Sequence, residues 1–304
     1  MQKNYKLTIS VITMNRAEQL IEALESCAAC VLPKETEILV FDNASTDDTK
    51  KCVETFAKTH SELDVNYHFS ETNLGAGGGR SAAFELAKGD IIYFLDDDAV
   101  ISDESKNDFF VKSLKLFEEN KEIASLTTNI YDELLKYDRL ARISKKKVAG
   151  LHIVFCMFGG SHFLRKEYFD SPLYFKINYG GEEMYPSIRA QDKGYFNAFD
   201  KELTVIHKPK VNKWANGTEN MRYVLVNGTA NIYAMKKLMY PIIARPLIWF
   251  GYMSRCVIHL RHYPGAVKEA NQLVKKIVNE NKGMKKIKFS TAVKFLKQYG
   301  LQAF

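Results

Sequence analysis

Four short apolar runs alternate with helix-patterned segments over the first hundred residues, and that alternation admits few folds. Residues 7–13 (LTISVIT), 37–41 (EILVF), 64–69 and 90–95 read as strands. Between them, residues 17–30, 46–60 and 76–87 carry helical periodicity, the second capped near Ser45 and the third opening on a glycine-rich turn. Strand–helix–strand units of this length close by right-handed crossovers, so the strands lie parallel and helices cover both faces. The expected fold is a doubly wound, mostly parallel α/β sheet. A helix over 107–119, a strand-like segment over 123–130, a polar surface loop over 131–147 and an apolar, glycine-punctuated stretch over 148–165 follow. A helix then carries Glu182 to Gln191, and residues 196–207 are extended. Helical patterns dominate from Glu219, so an α/β domain over 1–218 and a helical C-terminal region over 219–304 are expected.

Open α/β sheets bind ligands beyond the carboxyl ends of their strands, and the chain concentrates polar residues there. The fourth strand runs into FLDDDAV. Asp96 and Asp98, two apart, share a face and can converge on one hard cation such as Mn or Mg, while Asp97 turns toward protein or solvent. An acidic turn or helix cap accounts for three isolated aspartates equally well. The first strand ends in Thr13-Met14-Asn15-Arg16 and the second in Asp42-Asn43-Ala44-Ser45. Asp42 can accept a hydrogen bond from a uracil or thymine imide, with the backbone after Thr13 framing the ring, although such residues also build ordinary turns.

In NLGAGGGR, Asn73 to Arg80, glycines let backbone approach a phosphate or base and a helix N-terminus favours anions. Arg80 suits a diphosphate or an aspartate of the acidic turn; the glycines also fit a helix packed closely on the sheet. Gly180-Gly181-Glu182-Glu183 opens a helix, where Glu182 suits a cap and Glu183 a general base for a hydroxyl. Arg189, nearly two turns on, can hold that helix end or pair with a carboxylate. His207 ends its extended run, either as an imidazole completing a metal shell or as a structural histidine.

Five scattered cysteines argue for reduced thiols, and the lone pair Cys27 and Cys30 falls on the first helix, where core packing explains it. The opening MQKNYKLTIS enters a strand without a charged and apolar leader, so a cytoplasmic protein is expected. Residues 235–304 hold 14 Lys and Arg against 2 Glu, a balance of +12; with +7 for the whole chain, residues 1–234 carry −5. A basic, aromatic tail on an acidic body argues against nucleic acid and for an anionic inner-membrane surface. Residues 238–260 are the most apolar stretch, but Pro241, Pro246, Arg245 and Arg255 interrupt it. An interfacial helix pair with Trp249, Phe250 and Tyr252 at headgroup depth fits better than a span, and packing of these aromatics on the main domain fits equally.

Taken in order, VITMNR, VFDNASTDDT, NLGAGGGR, FLDDDA, GGEEMYPSIRAQDKGY and the late His207 resemble the family-2 glycosyltransferases with the GT-A fold, over roughly residues 6–210. The NLGAGGGR form and helical tail are similar to the rhamnosyltransferase and galactofuranosyltransferase branch. The resemblance implies nucleotide-sugar contacts at Thr13, Asn15, Arg16, Asp42, Asn73, Gly75, Arg80 and Asp97. It further implies metal ligands at Asp96, Asp98 and His207, sugar contacts at Gly160, Ser161 and Glu182, and a catalytic base at Glu183. The reaction implied is inverting, Mn- or Mg-dependent transfer from a UDP-sugar or dTDP-sugar to a glycan or lipid-linked acceptor in bacterial envelope synthesis, by a peripheral enzyme open to homo-oligomerisation. The family usually has Asp where this chain has Glu183, one methylene longer, which leaves Glu182 and Glu183 both candidates for the base. A sugar nucleotidyltransferase would carry a glycine-rich, Arg-containing loop directly after the first strand, where TMNR stands. A non-catalytic nucleotide-binding subunit of a membrane assembly complex would keep every signal above.

Overall fold

The computed structural model describes residues 5–139, 143–177, 180–210 and 219–304. The first half follows the expected alternation: β1 (Leu7–Thr13), α1 (Ala17–Ala28), β2 (Thr36–Asp42), α2 (Thr49–Thr59), β3 (Asp64–Phe69), α3 (Gly75–Leu86) and β4 (Ile91–Asp96). These strands lie parallel in the order β3-β2-β1-β4. Alternate side chains of β1, β2 and β4 feed two cores, which is why those strands are largely apolar, while the edge strand β3 (DVNYHF) is half-exposed and mixed. Ile38, Val40, Tyr93 and Leu95 face one layer with Leu20, Leu24, Phe109 and Phe110, while Leu39, Phe41, Ile92 and Phe94 face another with Phe84 and Tyr174. Cys27 and Cys30 lie in the first core, and burial raises both thiols.

Beyond Asp96 the sheet becomes mixed. It continues through β5 (Ala99–Ile101), α4 (Phe109–Glu119), β6 (Ile123–Asp132), β7 (Tyr137–Asp138), β8 (Ile143–Val148), β9 (Leu151–Val154), β10 (Ser161–Arg165), α5 (Met184–Asp192) and β11 (Phe196–His207). β10 runs antiparallel to β4 and β6, whereas β6 and β11 pair in parallel. The polar segment 131–147, expected as a loop, contains β7 and β8 in its described part; β7 pairs with β6 and β8 with β9 at the end of the sheet. Its charged side chains hid the strands because an edge has little to bury.

The tail forms α6 (Glu219–Met239), α7 (Arg245–Arg255), α8 (Ala266–Glu280) and α9 (Phe289–Tyr299). The expected boundary abuts residues 211–218, which lie outside the described residues. Met235, Tyr240, Ile248, Tyr252, Ile277 and Phe295 share a buried cluster with Phe155, Phe175, Met184, Tyr185 and Ile188 of the α/β part. Of the three aromatics expected either at a membrane surface or packed on the protein, Tyr252 is packed, buried and stacked on Tyr233 at 4.2 Å between ring centroids, while Trp249 and Phe250 are exposed.

One turn sets how closely the chain folds back beneath the sheet. A side chain at Gly89 would place its Cβ 2.5 Å from the Thr8 backbone nitrogen and 2.7 Å from the Leu7 carbonyl carbon, so the backbone itself would have to shift. Gly89→Ala is expected to cost about 1–3 kcal/mol in urea unfolding, a typical overpacking penalty; a midpoint equal to the parent protein's would show that the turn relaxes freely.

Candidate active site

The carboxyl ends of β1, β4, β6 and β11 and the start of antiparallel β10 meet on one rim, which opens into a cleft of about 730 Å³. Its lining includes Asn15, Arg16, Arg80, the three aspartates of the acidic turn, Gly160, Glu182, Glu183 and His207. Asp96, Asp98 and His207 offer ligand atoms that all lie within 4.8 Å of one another. Two carboxylates and an imidazole are a donor set suited to Mn or Mg, so the residues fit the implied cation. His207 reaches Asp98 through Nε2 at 3.3 Å and Asp132 through Nδ1 at 3.1 Å. Burial lowers its pKa, but the hydrogen bond and charge of Asp98 outweigh burial and the net shift is upward.

Asp97 is engaged by protein on both oxygens: Thr13 Oγ1 donates at 2.8 Å and Arg16 Nη1 at 2.8 Å. The same Arg16 nitrogen reaches Asp98 at 2.9 Å. Burial pushes Asp97 up to about 6 despite the opposing pull of Arg16. Asn15 has a left-handed φ of 54°, a conformation asparagine tolerates. It ties the ends of β1 and β2 together, its Oδ1 accepting from the Thr46 backbone N–H at 2.7 Å.

Asp42 is buried; it accepts from the Ser45 backbone N–H at 2.7 Å and from the Tyr67 hydroxyl at 2.6 Å. Asn73 and Gly75 meet Asn43, whose Nδ2 donates to Asn73 Oδ1 at 3.0 Å and to the Gly75 carbonyl at 3.2 Å. Ser161 sits buried behind the rim with Tyr93 and Thr128 at 2.8 and 2.6 Å. Thr13, Asp42, Asn73, Gly75 and Ser161 therefore stand just outside the cleft lining.

Arg80 occupies the centre. Buried in α3, it pairs with Asp96, with Glu182 at 3.2 Å and with Glu183 at 3.5 Å. Burial opposes its charge, yet the three carboxylates raise its pKa. Arg189, in contrast, pairs with Asp192 at 2.7 Å and Asp170 at 3.4 Å, away from both glutamates. Glu182 Oε2 is buried and has no hydrogen-bond partner among the described residues. Glu183 lies against Gly159, where any Cβ would come within 2.2 Å of its Oε1. Burial first, and the neighbouring Glu182 second, push Glu183 up to about 8.

Sequence reasoning passed over Asp132, Arg139 and Gly159. Asp132 follows an apolar strand as the acidic turn does, which was the available signal; Arg139 Nη2 reaches Asp132 at 2.9 Å and His207 Nδ1 at 2.8 Å.

Residues 8–170 match the family described as Glycosyl transferase family 2, and the chain belongs to that family. The poly(ribitol-phosphate) beta-N-acetylglucosaminyltransferase TarS of Staphylococcus aureus is 35% identical over 105 residues, 34% of this chain and 18% of TarS. A processive diacylglycerol beta-glycosyltransferase of Mycoplasma pneumoniae is 28% identical over 106 residues, covering 35% of this chain and 30% of that protein. The matches therefore span less than a third of either relative. TarS residues 1–349 with UDP-GlcNAc superpose at a TM-score of 0.62 and 18% identity, covering 90% of this chain and 81% of that one. The mannosyltransferase PcManGT of Pyrobaculum calidifontis with GDP-Man and Mn2+ gives 0.60 and 17%, with coverage of 96% and 79%. At these identities the likeness establishes the fold, which is the α/β GT-A fold.

A folded pKa of about 8 against an ordinary 4.5 makes Glu183 a pH-dependent load on stability. The favourable protonated state is fully present below pH 4.5 and is lost as pH rises through about 8. Glu183→Gln, which cannot ionise, is expected to melt about 3 °C or more above the parent at pH 9 and level with it at pH 4.5; a pH-independent difference in calorimetric scans would contradict this.

Proposed function

We propose that the chain is an inverting, metal-dependent glycosyltransferase that moves a sugar from a UDP-sugar or dTDP-sugar to a hydroxyl of a glycan or lipid-linked acceptor. One observation carries the reading: Arg80 holds the Asp96 side of the Asp96, Asp98 and His207 set and the Glu182-Glu183 pair in a single cleft. Family membership and the nucleotide-sugar complexes of TarS and PcManGT are consistent with it.

Asp96, Asp98 and His207 would hold Mn or Mg. When bound there, the ion supplies Lewis acidity against the charge that builds on a diphosphate leaving group. Arg16 and Arg80 add fixed positive charge on either side of the acidic turn. Glu183 accepts the proton of the acceptor hydroxyl as its oxygen bonds to the anomeric carbon and the bond from that carbon to the nucleotide diphosphate breaks. Attack from the opposite face inverts the centre, and no covalent sugar intermediate forms. A carboxylate poised near 8 is a stronger base than an exposed one and is matched to mildly alkaline operation. Glu182, with one oxygen unpartnered, is placed for a sugar hydroxyl. Thr13, Asn15, Asp42, Asn73, Gly75 and Asp97 shape the nucleotide side, and Gly160 and Ser161 the sugar side. Residues 1–218 form the catalytic part in this reading, and the basic helices from 219 direct it to an anionic membrane carrying the acceptor.

Asp98→Ala is expected to abolish Mn2+ binding by calorimetry together with metal-dependent donor turnover, and chelator is expected to silence the parent protein. Unchanged turnover in both would end the metal assignment. Glu183→Gln should retain UDP affinity while transfer falls about 10²–10⁴-fold; lost UDP affinity in that variant would move Glu183 from base to binding residue.

A further inference from the structure

We infer that the outward side of residues 242–258 seats on an anionic lipid bilayer without crossing it; this deepens the membrane reading proposed above. α7 and its π-helical continuation, Cys256–Leu260, bury Ile248, Tyr252, Cys256 and Leu260 at four-residue spacing against the tail core. A helix that ends its contacts there normally turns polar residues to water. Here the outward positions are Trp249 (55% exposed), Phe250 (64%), Met253, Val257 and Ile258 (62%), preceded by Ile242 and Ile243 (72%). Such a surface marks an interaction site. No helix among the described residues is long and apolar enough to cross a membrane, so its occupant must cover the face from outside.

Charge identifies the occupant. Between Glu219 and Glu269 the chain has no Asp or Glu and seven Lys and Arg. Beside Trp249, a depression of about 300 Å³ is lined by Tyr233, Lys237, Arg245, Pro246, Ile248 and Trp249. Lys237 Nζ lies 5.8 Å from the Tyr233 ring centroid, and neither Lys237 nor Arg245 meets a carboxylate among the described residues. Two cations with an aromatic wall, next to an apolar face, match the phosphate headgroups and acyl boundary of an anionic leaflet. A second copy would press the same excess of positive charge against itself across a two-fold axis, which disfavours self-association as the use of this face.

The full chain carrying Trp214→Phe leaves Trp249 as the one fluorescent indole, because the sequence has two tryptophans. Vesicles of phosphatidylglycerol and phosphatidylcholine should shift its emission to the blue and co-sediment the protein, and pure phosphatidylcholine should do so at least tenfold more weakly. Phe250→Glu with Ile258→Glu, both at exposed positions, should weaken vesicle binding tenfold or more with an unchanged thermal midpoint, and Lys237→Gln with Arg245→Gln should weaken it on anionic vesicles. Unshifted emission, variants that bind like the parent, or a dimer by light scattering that only Phe250→Glu with Ile258→Glu disperses would each overturn the docking. Donor hydrolysis measured without vesicles separates the two readings: vesicle binding with no turnover refutes the transferase and leaves the docking, and turnover without vesicle binding refutes the docking alone.

Discussion

One buried guanidinium holds the site together. Arg80 carries a single positive charge among three carboxylates from two elements, Asp96 at the end of β4 and Glu182 and Glu183 at the start of α5. A buried cation with one partner is a poor investment in stability, because desolvation rivals the Coulomb gain. Three partners change the balance but leave three carboxylates around one cation; burial first and the neighbouring Glu182 second raise Glu183, and Arg80 only partly offsets them. The glycines of α3 serve the same end: a Cβ added at Gly77 would lie 3.6 Å from the Glu182 Cβ and one at Gly79 2.9 Å from the Ile12 methyl, so the helix carrying Arg80 sits close to both strand and turn.

How much of this could be read from the residues follows from how local each signal is. The parallel half of the sheet was legible because β1, β2 and β4 are largely apolar on both faces, the edge strand β3 alternates, and the helices have their own periodicity, so β1 to β4 needed no distant information. The acidic turn was legible as carboxylates following an apolar strand, although Asp97 and Asp98 lie in a turn rather than in extended chain, and the link to His207, which the residues alone left open, came from the family resemblance. What stayed hidden is non-local. Asp97 looked spare until Thr13 and Arg16, more than 80 residues earlier, were seen to hold both its oxygens. By sequence Arg189, on the same helix, was the candidate partner for the glutamates and Arg80 was read toward a diphosphate or the acidic turn; only packing decides that Arg80 has both glutamates while Arg189 turns to Asp170 and Asp192. The strands β7 and β8 escaped notice because edge strands are charged for the reason that makes them soluble.

The tail is joined to the site through one turn. Asn231 Nδ2 of α6 donates to the Gly180 carbonyl at 2.9 Å, and a side chain at Gly181 would meet Met235 and Ile232 of the same helix at 3.5 and 3.7 Å. The α/β part and the helical region therefore share a core and the glutamate-bearing turn, which explains why residues from both halves of the chain complete one cluster.

The reversal of β10 has its own consequence for how the molecule tolerates change. Because β10 runs against its neighbours, the rim is assembled from chain arriving in one direction at Ser161 and departing in the other at Asp96, Asp132 and His207. Lengthening the chain on either side of those points would displace the same few atoms. The amino ends of the strands carry no such double duty, and exposed positions of the connection entering β2, such as Val31 and Lys34, are where inserted sequence can be absorbed.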